Sequence, residues 1–174
     1  MRNSSNKRKP NFKPDYQLWI FDRDGTINQK AKFPNRYILH ARDLVLNVEL
    51  INFIVLLQKN SRHIAVATNQ QCVGKGLIDE VQLRKIHDAI DESFIRIGGS
   101  KIQFFVCGHL ESDKCICRKS APGMLEDIIA KYSVKLQETI FIGDSKTDEA
   151  AARNTGIDFL YVEELLSGLN REQI

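Results

Sequence analysis

Leu18-Trp19-Ile20-Phe21-Asp22-Arg23-Asp24-Gly25-Thr26-Ile27-Asn28 passes from four consecutive apolar residues to two aspartates one residue apart, then Gly-Thr. The apolar run reads as a buried strand, and the glycine lets the backbone turn away at its carboxyl end. On a strand, side chains two apart point the same way, so Asp22 and Asp24 can address one site. A polar turn after a strand is the plain alternative, because Asp and Gly are ordinary turn residues. A calcium loop is a second, and it fails: counting from Asp22, the glycine position holds Ile27 and the closing glutamate position holds Phe33.

Working outward, the chain alternates strand-like and helix-like stretches. Strand Gln17–Phe21 is followed by a polar and aromatic excursion from Asn28 to Asp43, about fifteen residues and long enough to suggest a functional loop. Asn47 can cap a helix running to Lys59. His63 to Thr68 is a near-continuous apolar run, as in a strand covered on both faces. It ends in Thr68-Asn69-Gln70, ahead of Gly74-Lys75-Gly76. Asp79 caps a helix with Leu83, Ile86, Ile90, Phe94 and Ile97 at three- and four-residue steps, stopped by Gly98 and Gly99. Ile102–Val106 is a third strand, Pro122–Tyr132 a helix, and Thr139–Ile142 a fourth strand ending in Gly143-Asp144. A short helix, Asp148 to Asn154, is closed by Gly156, and Phe159–Val162 makes a fifth strand. This order predicts an α/β domain with a mainly parallel sheet. The predicted carboxyl ends carry Asp22/Asp24, Thr68/Asn69, Cys107/His109 and Asp144, on the sheet edge where α/β proteins gather binding groups.

A pocket holding Asp22, Asp24, Thr68, Lys119 and Asp144 points to phosphoryl chemistry. Asp22 and Asp144 are hard oxygen donors suited to Mg²⁺, which takes one or two carboxylates and fills its remaining positions with phosphate and water. Lys119 supplies a point charge for phosphate oxygens. Two carboxylates facing a phosphate dianion need both cations. Asp22 is the candidate nucleophile, forming an aspartyl phosphate. Asp24 is the candidate acid and base, which predicts a raised carboxyl pKa. Thr68 is a candidate hydrogen-bond donor to the transferring group.

Three of the four cysteines and one of the four histidines fall in Cys107-x-His109…Cys115-x-Cys117. Three thiolates and an imidazole form a tetrahedral zinc set with no open position, hence a structural one. Reduced thiols or a disulfide are the alternatives. A zinc-pinned loop would steady Arg118 and Lys119, which follow directly. Cys72, His40, His63 and His87 show no partners in the sequence.

Composition narrows the class. At 174 residues, 43% hydrophobic and 27% charged, the chain suits one globular domain, residues 15–174. No apolar run reaches the ~20 residues of a membrane span. Residues 1–14 are basic (Arg2, Lys7, Arg8, Lys9, Lys13) without an apolar core, and read as a disordered tail rather than a secretory signal. A cytoplasmic setting and action as a monomer are expected. A net charge of +3 does not by itself point to nucleic acid.

The order Asp22-x-Asp24-Gly-Thr, Thr68-Asn-Gln, Lys119, Gly143-Asp144-x-x-x-Asp148 resembles the haloacid dehalogenase superfamily of phosphatases, and the Cys/His cluster followed by Arg118-Lys119 resembles its zinc-bearing branch. That resemblance spans roughly Gln17 to Val162. It implies a Rossmann-like fold with helices on both faces, little or no cap, and a zinc-binding loop. It implies Mg²⁺ held by Asp22, the Asp24 carbonyl and Asp144, with Asp148 in support. Phosphate contacts from Thr68 and Lys119 and substrate contacts from Asn69, Arg118, Tyr37 and Lys75 are implied likewise. The implied substrate is a small phosphorylated sugar or other small phosphomonoester, with heptose bisphosphate first and histidinol phosphate second. The Gly-Lys-Gly stretch at 74–76 resembles the heptose enzymes; the five-residue spacer between His109 and Cys115 resembles the histidinol phosphatases. Ser145 departs from the lysine that heptose enzymes often carry after the motif aspartate. Two rivals stand beside this reading: a polynucleotide 3′-phosphatase, suggested by the basic tail, and a non-catalytic zinc-stabilised binding domain. Every catalytic position is filled, which argues against the second.

Overall fold

Four buried residues make the central strand, β1 (Leu18–Phe21), and their alternation explains the layers around it. Leu18 and Ile20 enter one apolar cluster, while Trp19 and Phe21 enter the other on the opposite face. A strand buried on both faces needs apolar residues at every position, and β1 has them. The structure is a computed structural model that describes residues 15–34 and 36–169. The basic segment 1–14, expected as a tail, lies outside the described residues.

The other strands are β2 (His63–Asn69), β3 (Gln103–Cys107), β4 (Thr139–Gly143) and β5 (Asp158–Tyr161), all parallel in the order β3-β2-β1-β4-β5. Helices α1 (Val48–Lys59), α3 (Glu80–Arg96) and α6 (Val162–Leu169) send Leu50, Ile54, Ile90, Phe94 and Leu165 into the cluster shared with Trp19 and Phe21. Helices α4 (Gly123–Tyr132) and α5 (Lys146–Thr155) cover the other face with Leu125, Ile128, Ala151 and Ala152. A single-turn helix, α2 (Gln71–Gly74), follows β2. Between β1 and α1 the described residues form a loop whose one helical piece is a 3-10 turn at Ala41–Asp43, so no cap domain is inserted there.

The caps read from the sequence are made: Asn47 accepts from Leu50 N at 3.2 Å and Asp79 from Gln82 N at 2.6 Å. Most element ends fall within one residue of the expected ones, and two differences have a clear local cause. Helix α5 starts at Lys146, not Asp148, because Ser145 and Asp148 form a capping box in which each side chain takes the other's backbone N–H. The last strand ends at Tyr161, and Val162 opens α6, which the sequence reading did not anticipate. Among the described residues no helix is long and apolar enough to cross a membrane.

The chain builds β1 to β3 outward on one side, then crosses to place β4 on the other side of β1. The crevice beyond the carboxyl ends of β1 and β4 is therefore the topological switch point, where doubly wound sheets bind ligands. Phe21 pairs with Ile142, which brings Asp22 and Asp144 to that crevice.

Candidate active site

Asp22 continues β1 by one residue, its N–H donating to Ile142 O at 2.8 Å. Thr68 is the penultimate residue of β2, and Asp144 follows β4 directly. With Asp24, Lys119 and Arg118 they line one cavity of about 220 Å³ at the carboxyl edge of the sheet. Asn69, Lys30 and Asp148 also face it. The pocket expected from the sequence is thus assembled from four separate chain segments.

Lys119 is buried, and its ammonium meets Asp22 Oδ1 at 2.5 Å, Asp148 Oδ1 at 2.7 Å and the Ala67 carbonyl at 2.7 Å. Those three acceptors match its three donors. Burial opposes its charge, but Asp22 and Asp148 outweigh that and raise its pKa. The lysine is held in place by its peptide as well. Asn69 Nδ2 donates to Lys119 O at 2.8 Å, and Lys119 N donates to Asn69 Oδ1 at 3.1 Å. Asn69, expected among the substrate contacts, thus turns its amide to the Lys119 backbone.

Asp22 is desolvated, and burial pushes its carboxyl up to about 7, against the pull of Lys119 and with Asp148 and Asp24 adding to the rise. Asp24 goes the other way. Burial would raise it, but the Arg23 guanidinium and hydrogen bonds from Asn28 and Gln70 hold its carboxyl below the ordinary range. Arg23 Nη2 lies 3.0 and 2.7 Å from its two oxygens, Asn28 Nδ2 donates to Oδ1 at 2.9 Å, and Gln70 Nε2 donates to Oδ2 at 2.8 Å. The raised pKa predicted for Asp24 is therefore corrected: its neighbours are donors and a cation, which favour the ionised form.

Both oxygens of Asp148 have protein partners. Its Oδ1 pairs with Lys119, and its Oδ2 accepts from Ser145 Oγ at 2.5 Å and Ser145 N at 3.2 Å. Asp144 meets Lys30 Nζ at 2.5 Å from the other rim. The carboxylate oxygens of Asp22, Asp144 and Asp148 lie within 4.8 Å of one another, an all-oxygen donor set that fits a hard divalent cation. Four carboxylates and the four cations Lys119, Arg23, Lys30 and Arg118 meet at this edge. An entering phosphate dianion adds two negative charges, which such a cation would cancel.

Two expected contacts stand apart. Tyr37 lines a neighbouring cavity of about 220 Å³ within the 29–45 loop, which shares Lys30 with the first. Lys75 Nζ donates to Tyr37 Oη at 2.9 Å and lies 5.3 Å from its ring centre, while Tyr37 Oη donates to Gln71 Oε1 at 3.2 Å. Neither residue lines the first cavity. Residues to which the sequence reading assigned no role in the site are Arg23, Asn28, Lys30, Gln70, His87 and Ser145. The apolar strand that ends in Asp-Arg-Asp was a usable signal for Arg23, a cation set directly between the two site carboxylates. His87 carried no signal, since its partner is distant in sequence.

The cysteine cluster is closed around one point. Cys107 Sγ lies 3.6 Å from both His109 Nδ1 and Cys115 Sγ; Cys117 Sγ lies 3.2 Å from His109 Nδ1 and 3.5 Å from Cys115 Sγ. Tetrahedral zinc bonds of ~2.3 Å to sulfur and ~2.0 Å to nitrogen set ligand–ligand edges of roughly 3.5–3.8 Å, close to these. All four cysteines are free thiols in this structure.

Comparison with known proteins agrees with this geometry. A family model described as HAD-hydrolase-like matches residues 116–170. A D-glycero-beta-D-manno-heptose-1,7-bisphosphate 7-phosphatase of Bordetella bronchiseptica is 35% identical over 144 residues, 80% of this chain and 76% of the relative. The protein of the same name from Pseudomonas aeruginosa is 36% identical over 136 residues, 78% and 75% of the two chains. A crystal structure of D,D-heptose 1,7-bisphosphate phosphatase from B. bronchiseptica, complexed with magnesium and phosphate, aligns with a TM-score of 0.74 at 27% identity, covering 90% of this chain and 99% of that one.

Proposed function

Because the chain belongs to the haloacid-dehalogenase-like phosphatase family that includes the D-glycero-beta-D-manno-heptose-1,7-bisphosphate 7-phosphatases, we propose that it hydrolyses the 7-phosphate of heptose bisphosphate through an aspartyl phosphate on Asp22. The observation that carries this reading is the Asp22 carboxylate at the β1/β4 switch point, paired with the buried Lys119 ammonium. An Asp22 oxygen attacks phosphorus, and the bond from phosphorus to the sugar oxygen breaks. Asp24 gives a proton to the leaving alkoxide. It then takes one from the water that attacks the phosphoryl group, freeing phosphate and restoring Asp22. The Arg23-paired resting state suits the base role, and the acid role requires Asp24 to hold a proton when the ester is bound. Lys119 and Thr68 steady the equatorial oxygens, with Arg118 at the cavity mouth.

Asp22 and Asp144 would hold Mg²⁺ with the Asp24 carbonyl, Asp148 supporting, and the ion would supply charge neutralisation on the transferring phosphoryl group. Cys107, His109, Cys115 and Cys117 would hold a structural Zn²⁺. Tyr37 and Lys75 are read as sugar-side contacts, next to the catalytic cavity. Free thiols suit a reducing, cytoplasmic setting, and the site needs no second copy of the chain. The test is kcat/KM for heptose 1,7-bisphosphate, both anomers, against histidinol phosphate and a 3′-phosphorylated oligonucleotide. A preference of at least ~100-fold for one heptose anomer is expected; equal or better use of histidinol phosphate overturns the substrate assignment.

Gly25 bears directly on the cation site. Its φ is +100°, and a Cβ there would run into the Asp144 carboxylate. Gly25→Ala is expected to weaken Mg²⁺ binding by about 10–100-fold, the range seen when a ligand's support is lost. It should also lower stability by about 1–2 kcal/mol through left-handed strain. Calorimetric titration and thermal melting check both, and unchanged Mg²⁺ affinity would remove Asp144 from the ligand set.

A further inference from the structure

Arg23 is a fully buried guanidinium whose side chain sits inside the domain, although it lies between two residues of the site. Burying an arginine is costly unless it is paired, and an apolar side chain of similar volume would commonly serve packing as well or better. Its hydrogen-bonding partners are therefore informative. Nη2 spans both oxygens of Asp24, Nη1 lies 3.2 Å from His87 Nε2, and Nε has no hydrogen-bond partner among the described residues. Two residues thus determine where this cation sits.

His87 is on α3, well away in sequence, and is not part of the cavity lining. A guanidinium can only donate, so His87 Nε2 must accept, which leaves the imidazole neutral with its proton on Nδ1. Burial and the adjacent Arg23 charge keep it neutral, pushing its pKa down to about 3. The ring is clamped face to face against Phe104 of β3, centres 4.0 Å apart and planes 6° from parallel. A rigid, neutral acceptor on a packed helix therefore holds one end of the guanidinium, and the other end holds Asp24.

We propose that His87 and Arg23 form a buried hold on the Asp24 carboxylate, making His87 a positioning residue for proton transfer to the leaving group although it touches no substrate. The proposal rests on the reading of Asp24 as acid and base given above. Asn28 and Gln70 fix the same carboxylate from the loop and from the end of β2, but neither carries charge. Arg23 is the charged partner that spans both of its oxygens, and among the described residues His87 is the hydrogen-bond partner at the far side of Arg23.

The experiment compares leaving groups. kcat/KM reports events through the first irreversible step, transfer of the phosphoryl group to Asp22. An alkyl phosphate such as the sugar ester needs a proton on its leaving oxygen, whereas the phenolate of p-nitrophenyl phosphate departs without one. His87→Leu is expected to lower kcat/KM for the alkyl ester about 10–100-fold and for the aryl ester less than about 3-fold, a fraction of what a general acid contributes. His87→Gln, which keeps an acceptor near Nε2, should recover most of the loss. If the leucine variant does not fold, Arg23→Lys reads the same ratio, since it keeps the charge but cannot reach both partners. Equal losses on the two esters would overturn the hold. Asp24→Asn separates the two layers of argument. A split between esters for Asp24→Asn but not for His87→Leu removes the His87 inference alone, and no split for Asp24→Asn removes the acid–base reading beneath it.

Discussion

Asp22→Asn is expected to lower kcat by at least ~10⁴-fold while melting no lower than the parent protein. The first half follows from chemistry: an amide cannot form the acyl phosphate, and loss of a nucleophile from a cooperating set costs on this scale or more. The second half follows from burial. Asp22 is desolvated beside Asp148 and Asp24, and its carboxyl is pushed up to about 7 despite Lys119. A carboxyl whose pKa is higher folded than unfolded binds its proton more tightly in the native state. Its stabilising contribution is present in full below the carboxyl's ordinary value of 3.8 and is lost as pH rises through about 7. The neutral amide does not undergo that loss, and Lys119 keeps Asp148 and the Ala67 carbonyl as partners. Melting without added magnesium at pH 5 and pH 8 should show the parent losing ground to Asp22→Asn as pH rises. Phosphate release assays and intact-protein mass spectrometry after a rapid quench read the chemistry. Turnover by Asp22→Asn would move the nucleophile elsewhere, and a variant that melts well below the parent at pH 8 would mean that the Asp22–Lys119 pair stabilises the fold. Function in that first case is bought by placing a carboxylate where water no longer solvates it.

How much of this was legible beforehand depends on the range of each interaction. The strands were readable because a sheet covered on both faces demands unbroken apolar runs, and Leu18–Phe21 and Ile64–Ala67 supply them. Helices α1 and α3 were readable because Asn47 and Asp79 announce their starts within three residues of the donors they cap. Helix α5 was begun late because its first turn, Lys146-Thr147-Asp148, is polar and shows no apolar period; the signal was Ser145 with Asp148 three residues on. Helix α6 was missed because Val162, the last residue of the expected strand, is its first buried residue, and an apolar residue at a junction fits either element.

The site divides in the same way. Asp22, Asp24, Thr68, Lys119 and Asp144 each end a local pattern, so the parallel topology was enough to gather them. The state of Asp24 was misjudged because it depends on Gln70 and on Arg23, whose position is in turn fixed by His87, 64 residues away. Asn69 was read as a substrate contact, and only the structure shows its amide bonded to the peptide of Lys119, 50 residues distant. Motif spacing identifies chemically competent residues; it does not report which of them are already engaged with each other.

If Cys107, His109, Cys115 and Cys117 hold the proposed zinc, its removal should be felt at Lys119, two residues beyond Cys117. Cys107 belongs to β3, while Cys115 and Cys117 lie on a loop whose Ile116 is exposed, so a zinc there would tie that loop to the sheet alongside the Asn69–Lys119 pair. A structural zinc contributes on the order of 10 kcal/mol of apparent binding energy. If only about a third of that is felt as global stability, at roughly 2–4 °C per kcal/mol for a chain of this size, Cys115→Ser should lower Tm by about 10 °C. The Lys119 peptide would then depend on Asn69, and its ammonium on Asp22 and Asp148, which fixes the lysine less firmly than four metal bonds do. Activity is therefore expected to fall by about 10-fold or more below the melting range, since a displacement of ~1 Å in a charged group can cost 100-fold. Metal content should fall from one zinc per chain to none in the same variant. Cys115→Ser with an unchanged Tm and no zinc in the parent would leave the thiols as bystanders. A lowered Tm with full activity would separate the loop's stability from the position of Lys119, and would mean that Asn69 and the two aspartates hold the lysine without it.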